Sequence, residues 1–371
     1  MFFNINKKLF SDGLNIVSKA VSLNSPLPVY HNIKLSVKDD YIQLTASDGD
    51  ISIETIINKE NDNLSINSTG DILLDGRYFS DMIRKVDSDT VDVEIIDGNL
   101  CSIRGSAVSF EITGVNAQEF PLIQFNKPDN YFSMNVNTLK DIILQTCFAC
   151  SDKETKAILT GVNFSCVDNV LTTVATDSYR LAQKVIYLLD ESNNFNVTIP
   201  AKNLLDISKI MPSDGKVDIY VDDKKALFVF DNVLVQTRLI EGNYPQTSRL
   251  IPTSFISELT VDARDFLSAL ERASFIKNEG VNIVRLQLTE DNILLTCKSN
   301  EIISQEVIVP TSFTGEAIDI SFKGNYVYDA IRALNTYEVK INLCGSMKPF
   351  TLVSTNSDQL LQLVLPIKTY N

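Results

Sequence analysis

The chain has 371 residues, with 33 lysines and arginines against 47 aspartates and glutamates, which gives a formal net charge of −14. Its hydrophobic fraction of 44% excludes a wholly disordered acidic chain, and its length suggests two or three domains. No apolar run approaches about 18 residues and no long apolar segment opens the chain, so neither a membrane span nor a secretory signal is expected. We therefore expect a cytoplasmic protein without membrane contact. A single histidine, His31, makes a multi-histidine metal site impossible.

The first third of the chain begins with an apolar alternation that leads into a helical pattern. Asn6 stands where a helix N-cap belongs, because its side chain can accept an unpaired backbone N–H. Four apolar residues follow with the 4-3-4 spacing of one helix face: Phe10, Leu14, Val17 and Val21. A strand pattern, YIQLTASD, ends at Asp48, and a strand–helix pattern, ILLDGRYFSDMIRKV, follows from Ile72.

The second third repeats these three patterns in the same order. An alternation and a helix begin at Met134, with Asn137 predicted as the N-cap. The strand VLTTVATD ends at Asp177, and TIPAKNLLDISKIM follows from Thr198. The patterns therefore recur about 125 to 131 residues after their first copies.

The last third contains the patterns once more. Asp262 is the predicted N-cap, the strand ILLTCKSN ends at Asn300, and DISFKGNYVYDAIRAL follows from Asp319. The last pattern of every copy carries an aspartate three residues before a basic residue, as in these pairs: Asp81 and Arg84, Asp206 and Lys209, Asp329 and Arg332.

Three patterns that recur in one order with matching offsets predict three similar domains. Proline-containing polar segments near residues 128 and 255 place these domains at 1–128, 129–255 and 256–371. Each repeat holds two helices among many short strands with frequent turn signals. The predicted fold class is α+β with largely antiparallel sheets, and a doubly wound nucleotide-binding fold is disfavoured.

The usual motifs of catalysis are missing. No glycine-rich phosphate loop, nucleophile elbow or zinc motif is present, so we expect no catalytic residue, no metal ligand and no cofactor. The pair Cys147 and Cys150 in CFAC lies in a helical pattern, which favours core packing over a redox or metal role. Acidic pairs such as Asp39–Asp40 fit solvated hairpin turns. A carboxylate–metal hydrolase stays open as an alternative without positive support.

The negative charge is spread over all three repeats, with net values of −7, −3 and −4. This is not the bulk charge of a nucleic-acid-binding protein, but the predicted helices are locally basic. Solvated helix faces are one interpretation. The other is an acidic exterior with a basic internal surface, where phosphates would meet positive charge only inside.

The segment Thr173–Ala182, TVATDSYRLA, resembles the signature of the bacterial DNA polymerase III beta subunit, the sliding-clamp family. Further segments are similar to that family in the same order: LPVYHNIKL from Leu27, AQEFPLI from Ala117, EGNYPQTSRLIP from Glu241 and LVLPIK from Leu363. The resemblance covers essentially the whole chain, including the threefold repeat.

The resemblance implies three clamp-type domains per chain and a head-to-tail homodimer that closes a six-domain ring around duplex DNA. Spheres of the expected domain size leave a gap of about 5 Å for three domains and roughly 34 Å for six, and a duplex is about 20 Å wide. The implied role is a non-catalytic processivity factor that binds the replicative DNA polymerase, the clamp loader and repair proteins through short apolar peptide motifs. A repeat-built protein-interaction scaffold without a DNA role is the alternative.

The family's peptide pocket lies between the second and third repeats. Only the middle copy places Tyr179 and Arg180 after its strand, and these residue types are typical of binding hot spots. Where the family often has Gly-His, this chain has Ser178-Tyr179. The resemblance implies the following pocket lining: Leu159, Thr176, Ser178, Tyr179, Arg180, Leu181, Pro245, Arg249, Leu250, Tyr326, Met347, Leu363, Leu365, Pro366 and Ile367.

The resemblance also implies a DNA-facing set and a dimer interface. The DNA-facing residues are expected to be Arg77, Arg84, Lys153, Lys156, Lys202, Lys209 and Arg332. For the interface, Phe110 and Ile112 of one copy should meet Phe275 and Ile276 of the other. The stretch Ser106–Ser109 is uncharged, so we hypothesise a ring that dissociates more readily than relatives with charged interfaces.

Overall fold

The computed structural model describes residues 1–60, 63–188, 194–277, 280–289 and 291–368. The chain forms two compact units. The first comprises Met1–Asn137 and Asp206–Leu239, and the second comprises Thr138–Leu205 and Ile240–Asn371. Within the described ranges, two β-sheets lie in each unit.

Six α-helices lie in the described part of the chain, two for each predicted repeat. They are α1 (Lys7–Val17), α2 (Gly76–Lys85), α3 (Val136–Thr146), α4 (Ala201–Ile210), α5 (Ala263–Ala273) and α6 (Gly324–Leu334). Short 3₁₀ turns lie at Ser18–Ala20, Pro28–His31, Ala117–Glu119, Cys147–Ala149, Glu154–Thr160 and Ser248–Leu250.

The strands are short, as predicted. They are β1 (Phe2–Asn6), β2 (Asn32–Val37), β3 (Tyr41–Ser47), β4 (Ile51–Asn58), β5 (Leu64–Ser68), β6 (Gly70–Asp75), β7 (Thr90–Asp97), β8 (Leu100–Arg104), β9 (Ser109–Thr113), β10 (Tyr131–Asn135), β11 (Gly161–Val167), β12 (Val170–Thr176), β13 (Arg180–Tyr187), β14 (Phe195–Pro200), β15 (Lys216–Val221), β16 (Lys225–Phe230), β17 (Val233–Arg238), β18 (Ser257–Asp262), β19 (Ile283–Leu288), β20 (Ile293–Lys298), β21 (Ile303–Ile308), β22 (Ser312–Gly315), β23 (Ile318–Lys323), β24 (Glu338–Leu343), β25 (Phe350–Ser354) and β26 (Leu360–Val364).

The sheets of the first unit have the orders β5-β1-β7-β8-β9 and β10-β15-β16-β17-β4-β3-β2-β6. Those of the second unit have the orders β14-β11-β12-β13-β26-β25-β24-β18-β22 and β21-β20-β19-β23. The strand pairs that join these sheets in the described residues are antiparallel, for example β17 with β4 and β26 with β13. The predicted α+β class with antiparallel sheets is confirmed.

The hydrophobic cores lie between the helices and one face of each sheet. On α1, Phe10, Leu14 and Val17 are buried as predicted, whereas Val21 lies beyond the helix end and is only half-buried. In the second unit α5 and α6 share one core cluster with the sheet strands, where Phe322 and Phe350 have ring centroids 5.5 Å apart. Burying one such side chain contributes about 1.5–3 kcal/mol.

Two helix starts confirm the predicted N-caps. The Asn6 side chain accepts the backbone N–H of Leu9 at 3.1 Å, and the Asp262 side chain accepts those of Arg264 and Asp265 at 2.8 and 3.1 Å. These bonds satisfy N–H groups that have no partner inside the helix. They explain why the helices begin directly after β1 and β18.

Two positions of the predicted repeat alignment are wrong. Asn137 is not the cap of α3, since the helix begins at Val136 and Asn137 lies in its first turn. The position that precedes the helix, as Asn6 precedes α1, is Asn135. The NVN sequence offers two asparagines, and the alternation alone did not distinguish them.

The second wrong position is Asn300. The side chains of Asp48 and Asp177 each accept two backbone N–H groups of the following turn. In the third repeat this acceptor is the Ser299 hydroxyl, which accepts the N–H groups of Glu301 and Ile302 at 3.4 and 3.1 Å. A hydroxyl can cap such a turn as a carboxylate does, so the equivalent residue stands one position earlier.

Candidate functional site

The turn between β12 and β13 is held by its own side chains. The Thr176 hydroxyl donates to the Arg180 carbonyl at 2.6 Å and accepts the Ser178 N–H at 3.1 Å. The Asp177 carboxylate accepts the N–H groups of Tyr179 and Arg180 at 2.8 and 3.0 Å. Ser178 has φ of 79°, a conformation that glycine adopts more readily. This turn therefore presents the Tyr179 ring outward, with 58% of the residue exposed.

The C-terminal strand β26 lies directly beside this turn. β13 and β26 are antiparallel, with Leu181 opposite Leu363. Past the strand, the Leu365 N–H donates to the Tyr179 carbonyl at 2.9 Å, and the Ile367 N–H donates to the Ser321 carbonyl at 2.7 Å. The segment that follows β26 is thus attached to both the turn and β23.

An apolar cluster forms where β12, β13 and β26 meet. Leu181 and Leu363, both predicted for the pocket, are buried there with Val174. Half-buried side chains pack against them: Tyr244, Ile251, Leu361 and Leu365. Of the residues beyond Leu181 and Leu363, Leu365 was predicted from the sequence, whereas Val174, Tyr244, Ile251 and Leu361 were not. Tyr244 and Ile251 stand inside the segment EGNYPQTSRLIP that carried the resemblance, which was the available signal.

Arg180 is held by two carboxylates and two aromatic rings. Its Nε donates to Asp177 at 3.1 Å and its Nη1 donates to Asp329 at 2.7 Å. Its guanidinium carbon lies 4.5 Å from the ring centroid of Tyr326 and 5.3 Å from that of Phe148. With 12% of its side chain exposed, Arg180 is fixed in place beside the turn.

The bond to Asp329 changes one expected feature of the repeat. In the first two repeats the aspartate pairs with the basic residue three positions later: Asp81 with Arg84, and Asp206 with Lys209 at 2.9 Å. In the third repeat Asp329 binds Arg180 instead. The third copy of the motif therefore belongs to this site.

Lys323 extends the row of rings. Its Nζ lies 5.1 Å from the Tyr179 ring centroid and 4.7 Å from the Tyr326 centroid, and it donates to the Tyr326 hydroxyl at 3.2 Å. Tyr179, Lys323, Tyr326, Arg180 and Phe148 form an alternating row of rings and cations, which we call the aromatic–cation row. Sequence reasoning missed Lys323 and Phe148.

The other residues predicted for the pocket lie in the same unit. Leu159 and Thr176 are buried, at 3% and 6% exposure. Half-buried or exposed positions are occupied by the rest: Ser178, Pro245, Arg249, Leu250, Met347, Pro366 and Ile367. Their roles in binding stay predictions.

Both cysteines of CFAC are buried, as expected for core packing. Burial raises the pKa of the Cys150 thiol to about 12, with opposing effects from nearby Arg180 and Asp177. Burial likewise raises the pKa of Cys147 well above its ordinary value. The thiolate is the reactive form of cysteine, so this environment keeps both side chains in the inert thiol form.

Three predicted DNA-facing residues share a groove in the first unit. Arg77, Arg84 and Lys209 line a cavity of about 770 Å³, together with Lys19. Arg84 is paired with Asp81 and Lys209 with Asp206. In the part of the chain that the structure describes, no carboxylate oxygen lies within 4.0 Å of the side-chain nitrogens of Arg77 or Lys19. We call this cavity the basic groove.

The remaining predicted DNA-facing residues lie elsewhere. Lys153, Lys156 and Lys202 are exposed. Arg332 lines a cavity of about 330 Å³ with two carboxylates, those of Asp141 and Asp329. That cavity carries more negative than positive charge, unlike the basic groove.

The predicted interface residues differ in accessibility. Phe110 and Ile112 are half-buried on β9, the last strand of its sheet, and Phe275 is 68% exposed. Ile276 is only 2% exposed, because it packs with Ala273 and Cys297 inside its own chain. Phe275 is thus the accessible member of its pair, and the interface itself stays a prediction.

Within the described ranges no three histidine, cysteine, aspartate or glutamate side chains come together as a metal cluster. No helix in those ranges has the length and apolar character needed to cross a membrane.

Comparisons with known proteins agree over the whole chain. The family models for the N-terminal, central and C-terminal domains of the DNA polymerase III beta subunit match residues 1–124, 133–246 and 248–368 of this chain. The beta sliding clamps of Bacillus subtilis and Staphylococcus epidermidis are 36% and 37% identical, with 100% of each chain covered. The crystal structure of the Bacillus subtilis DNA polymerase sliding clamp superposes with a TM-score of 0.96 at 36% identity, covering 100% of both chains.

Proposed function

The chain belongs to the DNA polymerase III beta-subunit family and works as a DNA sliding clamp, and from this premise we propose that two copies close head to tail into a ring around duplex DNA. The ring holds DNA by topology, so tight affinity is unnecessary. A polymerase bound to the ring stays at high effective concentration near its template.

The finer parts of the proposal concern domains and partners. The three domains span residues 1–128, 129–255 and 256–371. The replicative polymerase, the clamp loader and repair proteins bind through short apolar peptides at the apolar cluster where β12, β13 and β26 meet. The chain is a non-catalytic processivity subunit that acts in the cytoplasm.

Equivalent positions in the three repeats can be followed across the sheets. Three residues before the first residues of α1, α3 and α5 stand Asn4, Ser133 and Thr260. Moving from strand to opposite strand, Asn4 leads through Asp92 and Arg104 to Ser109. The same three steps lead from Ser133 to Leu234 and from Thr260 to Leu361. Ser109, Leu234 and Leu361 are therefore equivalent.

The partners of these residues are equivalent as well. Leu234 of β17 lies opposite Glu54 of β4, and Leu361 of β26 lies opposite Gln183 of β13. Glu54 and Gln183 in turn face Thr45 and Val174, which stand three residues before the turn acceptors Asp48 and Asp177. The last strand of one repeat thus joins the preceding repeat in one register at two places, which we call the internal seams.

The third equivalent pair of strands, β9 and β21, is not joined within the described part of one chain. β9 ends its sheet and β21 begins another. Three residues before Ser299 stands Thr296, which faces Gln305 of β21. A third seam in the same register would therefore place Ser109 of one copy opposite Gln305 of a second copy. This observation carries the proposal, because a head-to-tail contact repeated twice is an allowed closed symmetry.

The basic groove supports the DNA part of the proposal. Its unpaired cations, Arg77 and Lys19, are available to phosphates, and lysine and arginine contacts to phosphate are independent of base sequence. A ring that moves along DNA needs contacts of this kind.

The test is retention on closed DNA. The protein is mixed with a nicked circular plasmid, and the two protein copies are cross-linked to each other. The mixture is then passed through a sizing column in high salt. We expect the protein to elute with the plasmid and to be lost when the plasmid is cut to a linear form. Equal loss from circular and linear DNA would refute encirclement and favour the interaction scaffold without a DNA role.

A further inference from the structure

The turn that follows α5 is held by one buried side-chain amide. Asn282, which is 8% exposed, donates from Nδ2 to the carbonyls of Ala273 and Ile276, each at 2.8 Å. A side-chain amide has two N–H donors, and these two carbonyls engage both. The same nitrogen lies 3.3 Å from the Cys297 sulfur, which itself donates to the Ile276 carbonyl at 3.5 Å. The backbone on both sides of Phe275 is therefore fixed by Asn282.

Asn282 also joins the end of α5 to the start of α6. Ala273 is the last residue of α5, where helix carbonyls have no partner inside the helix, and Asn282 supplies one. The main-chain carbonyl of Asn282 accepts the N–H of Gly324, the first residue of α6, at 3.0 Å. A methyl group at position 324 would overlap the Asn282 Oδ1 atom. The glycine therefore leaves the room that the asparagine occupies.

The residue between the two bound carbonyls is an exposed aromatic. Phe275 projects from this turn, and two apolar side chains of β21, Ile303 and Val307, are exposed as well. The ion pair of Arg272 with Glu306 holds the end of α5 against β21. Exposed apolar side chains that lie together mark an interaction surface. This surface includes the strand that the third seam needs.

The equivalent residue of the second repeat lies at an internal seam. Phe148 stands 12 residues after the start of α3, and Phe275 stands 12 residues after the start of α5. The Phe148 ring contacts the guanidinium of Arg180, which binds Asp329 on α6 of the next repeat. By the same placement Phe275 lies at the third seam, where the next repeat belongs to a second copy.

We infer that Asn282 is a positioning residue for ring closure, because it holds Phe275 in the conformation that the second copy meets. This inference rests on the proposed ring and deepens it by naming what prepares the contact. Buried Asn282 acts only through Phe275. Without its two hydrogen bonds the turn must be ordered when the copies associate, and that ordering lowers affinity. No continuous chain joins the third seam, so this loss appears directly in the dimer Kd.

The test measures association and folding separately. Fluorescence-detected sedimentation of the labelled full chain over a dilution series gives the dimer Kd, and urea denaturation gives the free energy of unfolding. We expect Asn282→Ala to weaken each contact about tenfold, as for one large side chain that must be ordered on binding. A ring has two identical contacts, so the dimer Kd should rise roughly a hundredfold.

The matched control is another buried asparagine of the second unit. Asn163 of β11 is also 8% exposed, and its Nδ2 donates to Asn196 and Thr198 at 2.7 and 3.3 Å. Asn163→Ala should lower the free energy of unfolding, as Asn282→Ala does, but should leave the dimer Kd unchanged. The control therefore separates lost stability from lost positioning.

A double-mutant cycle connects Asn282 to Phe275. Phe275→Ala, at an exposed position, should raise the dimer Kd, and adding Asn282→Ala should then change it less than about twofold. Gly324→Ala keeps every hydrogen-bonding group but displaces the Asn282 amide, so it should weaken the dimer in the same way. It takes the place of Asn282→Ala if that chain does not fold.

The outcomes separate the inference from the function on which it rests. If Phe275→Ala weakens the dimer but folded Asn282→Ala and Gly324→Ala do not, the inference is wrong and the ring stands. Fully additive effects of Asn282→Ala and Phe275→Ala would overturn the claim that Asn282 acts through Phe275. An unmodified chain that stays monomeric at micromolar concentration, or an unchanged Kd in Phe275→Ala, would remove the proposed contact and the inference together.

Discussion

A pair of cysteines tests the proposed third seam at the level of single residues. The perturbation is Ser109→Cys combined with Gln305→Cys in one chain. In a head-to-tail ring each seam then places two cysteines opposite each other. Both sites suit the test, because their own cross-strand neighbours are Arg104 and Thr296 and not one of the native cysteines.

The expected yield follows from strand geometry. Side chains directly opposite in an antiparallel pair have Cβ atoms about 4.5–5.5 Å apart, and those displaced by two residues about 7–8 Å. A disulfide needs a Cβ separation of roughly 3.5–4.5 Å, so a small adjustment closes the first pair and a large one the second. The control Ser109→Cys with Val307→Cys stays on the same strand face but is displaced by two residues.

The assay is mild oxidation at micromolar concentration followed by non-reducing electrophoresis. We expect the Ser109/Gln305 pair to convert most of the chain to a covalent dimer, the displaced pair to give less than about one tenth of that, and each single cysteine to give none. A closed ring stops at the dimer, whereas an open head-to-tail chain continues into a ladder. Equal yields for both pairs, or a ladder, would refute the register argument.

Three further predictions concern DNA, stability and pH. Arg77→Glu should weaken equilibrium binding to a short linear duplex and lower the salt dependence of that binding by about one ion per lost phosphate contact, whereas Lys216→Glu outside the groove should not; equal effects of the two variants in a fluorescence anisotropy titration would contradict the role of the basic groove. Ser178→Gly should raise the free energy of unfolding by about 1 kcal/mol in urea denaturation, since φ of 79° costs a serine more than a glycine, and a lower denaturation midpoint would show that the hydroxyl has a structural role. Burial raises the pKa of the Glu54 carboxyl above its ordinary value of 4.5, so the folded chain binds this proton more tightly than the unfolded chain, and stability is lost as pH rises from 4.5 through the raised pKa. Glu54→Gln removes this loss, so its free energy of unfolding minus that of the unmodified chain should be larger at pH 8 than at pH 4. A difference between the two chains that does not vary with pH would contradict this.

The architecture was predictable because each repeat has local signals that point to the same fold. The cap of α1 at Asn6 and the cap of α5 at Asp262 are single acceptors directly before an amphipathic run, and both were identified correctly. Asn137 failed because two asparagines compete within NVN. The prediction for Asn300 was wrong because the turn acceptor is the Ser299 hydroxyl and not a carboxylate or amide oxygen. Aligning the repeats by similar residue types matched Asn300 to the two aspartates, although the hydrogen bonds match Ser299 to them.

The site was less predictable, since it depends on residues far apart in the chain. The Arg180–Asp329 ion pair joins positions 149 residues apart, and local spacing pointed to Arg332 as the partner of Asp329. Lys323 reads in sequence as an ordinary basic residue before a helix. Its contact with Tyr179 exists only because the segment after β26 is attached to both β23 and the β12–β13 turn.

The internal seams have a consequence for where such a ring opens. Both are held by continuous chain, so their strands face each other at an effective concentration in the millimolar range. The seam between β9 and β21 of two copies has only the concentration of free protein to restore it. At micromolar protein this difference is a factor of about one thousand, or roughly 4 kcal/mol. Three seams built in one register would thus differ in lifetime. DNA would enter through the seam between β9 and β21, because no continuous polypeptide joins its two strands.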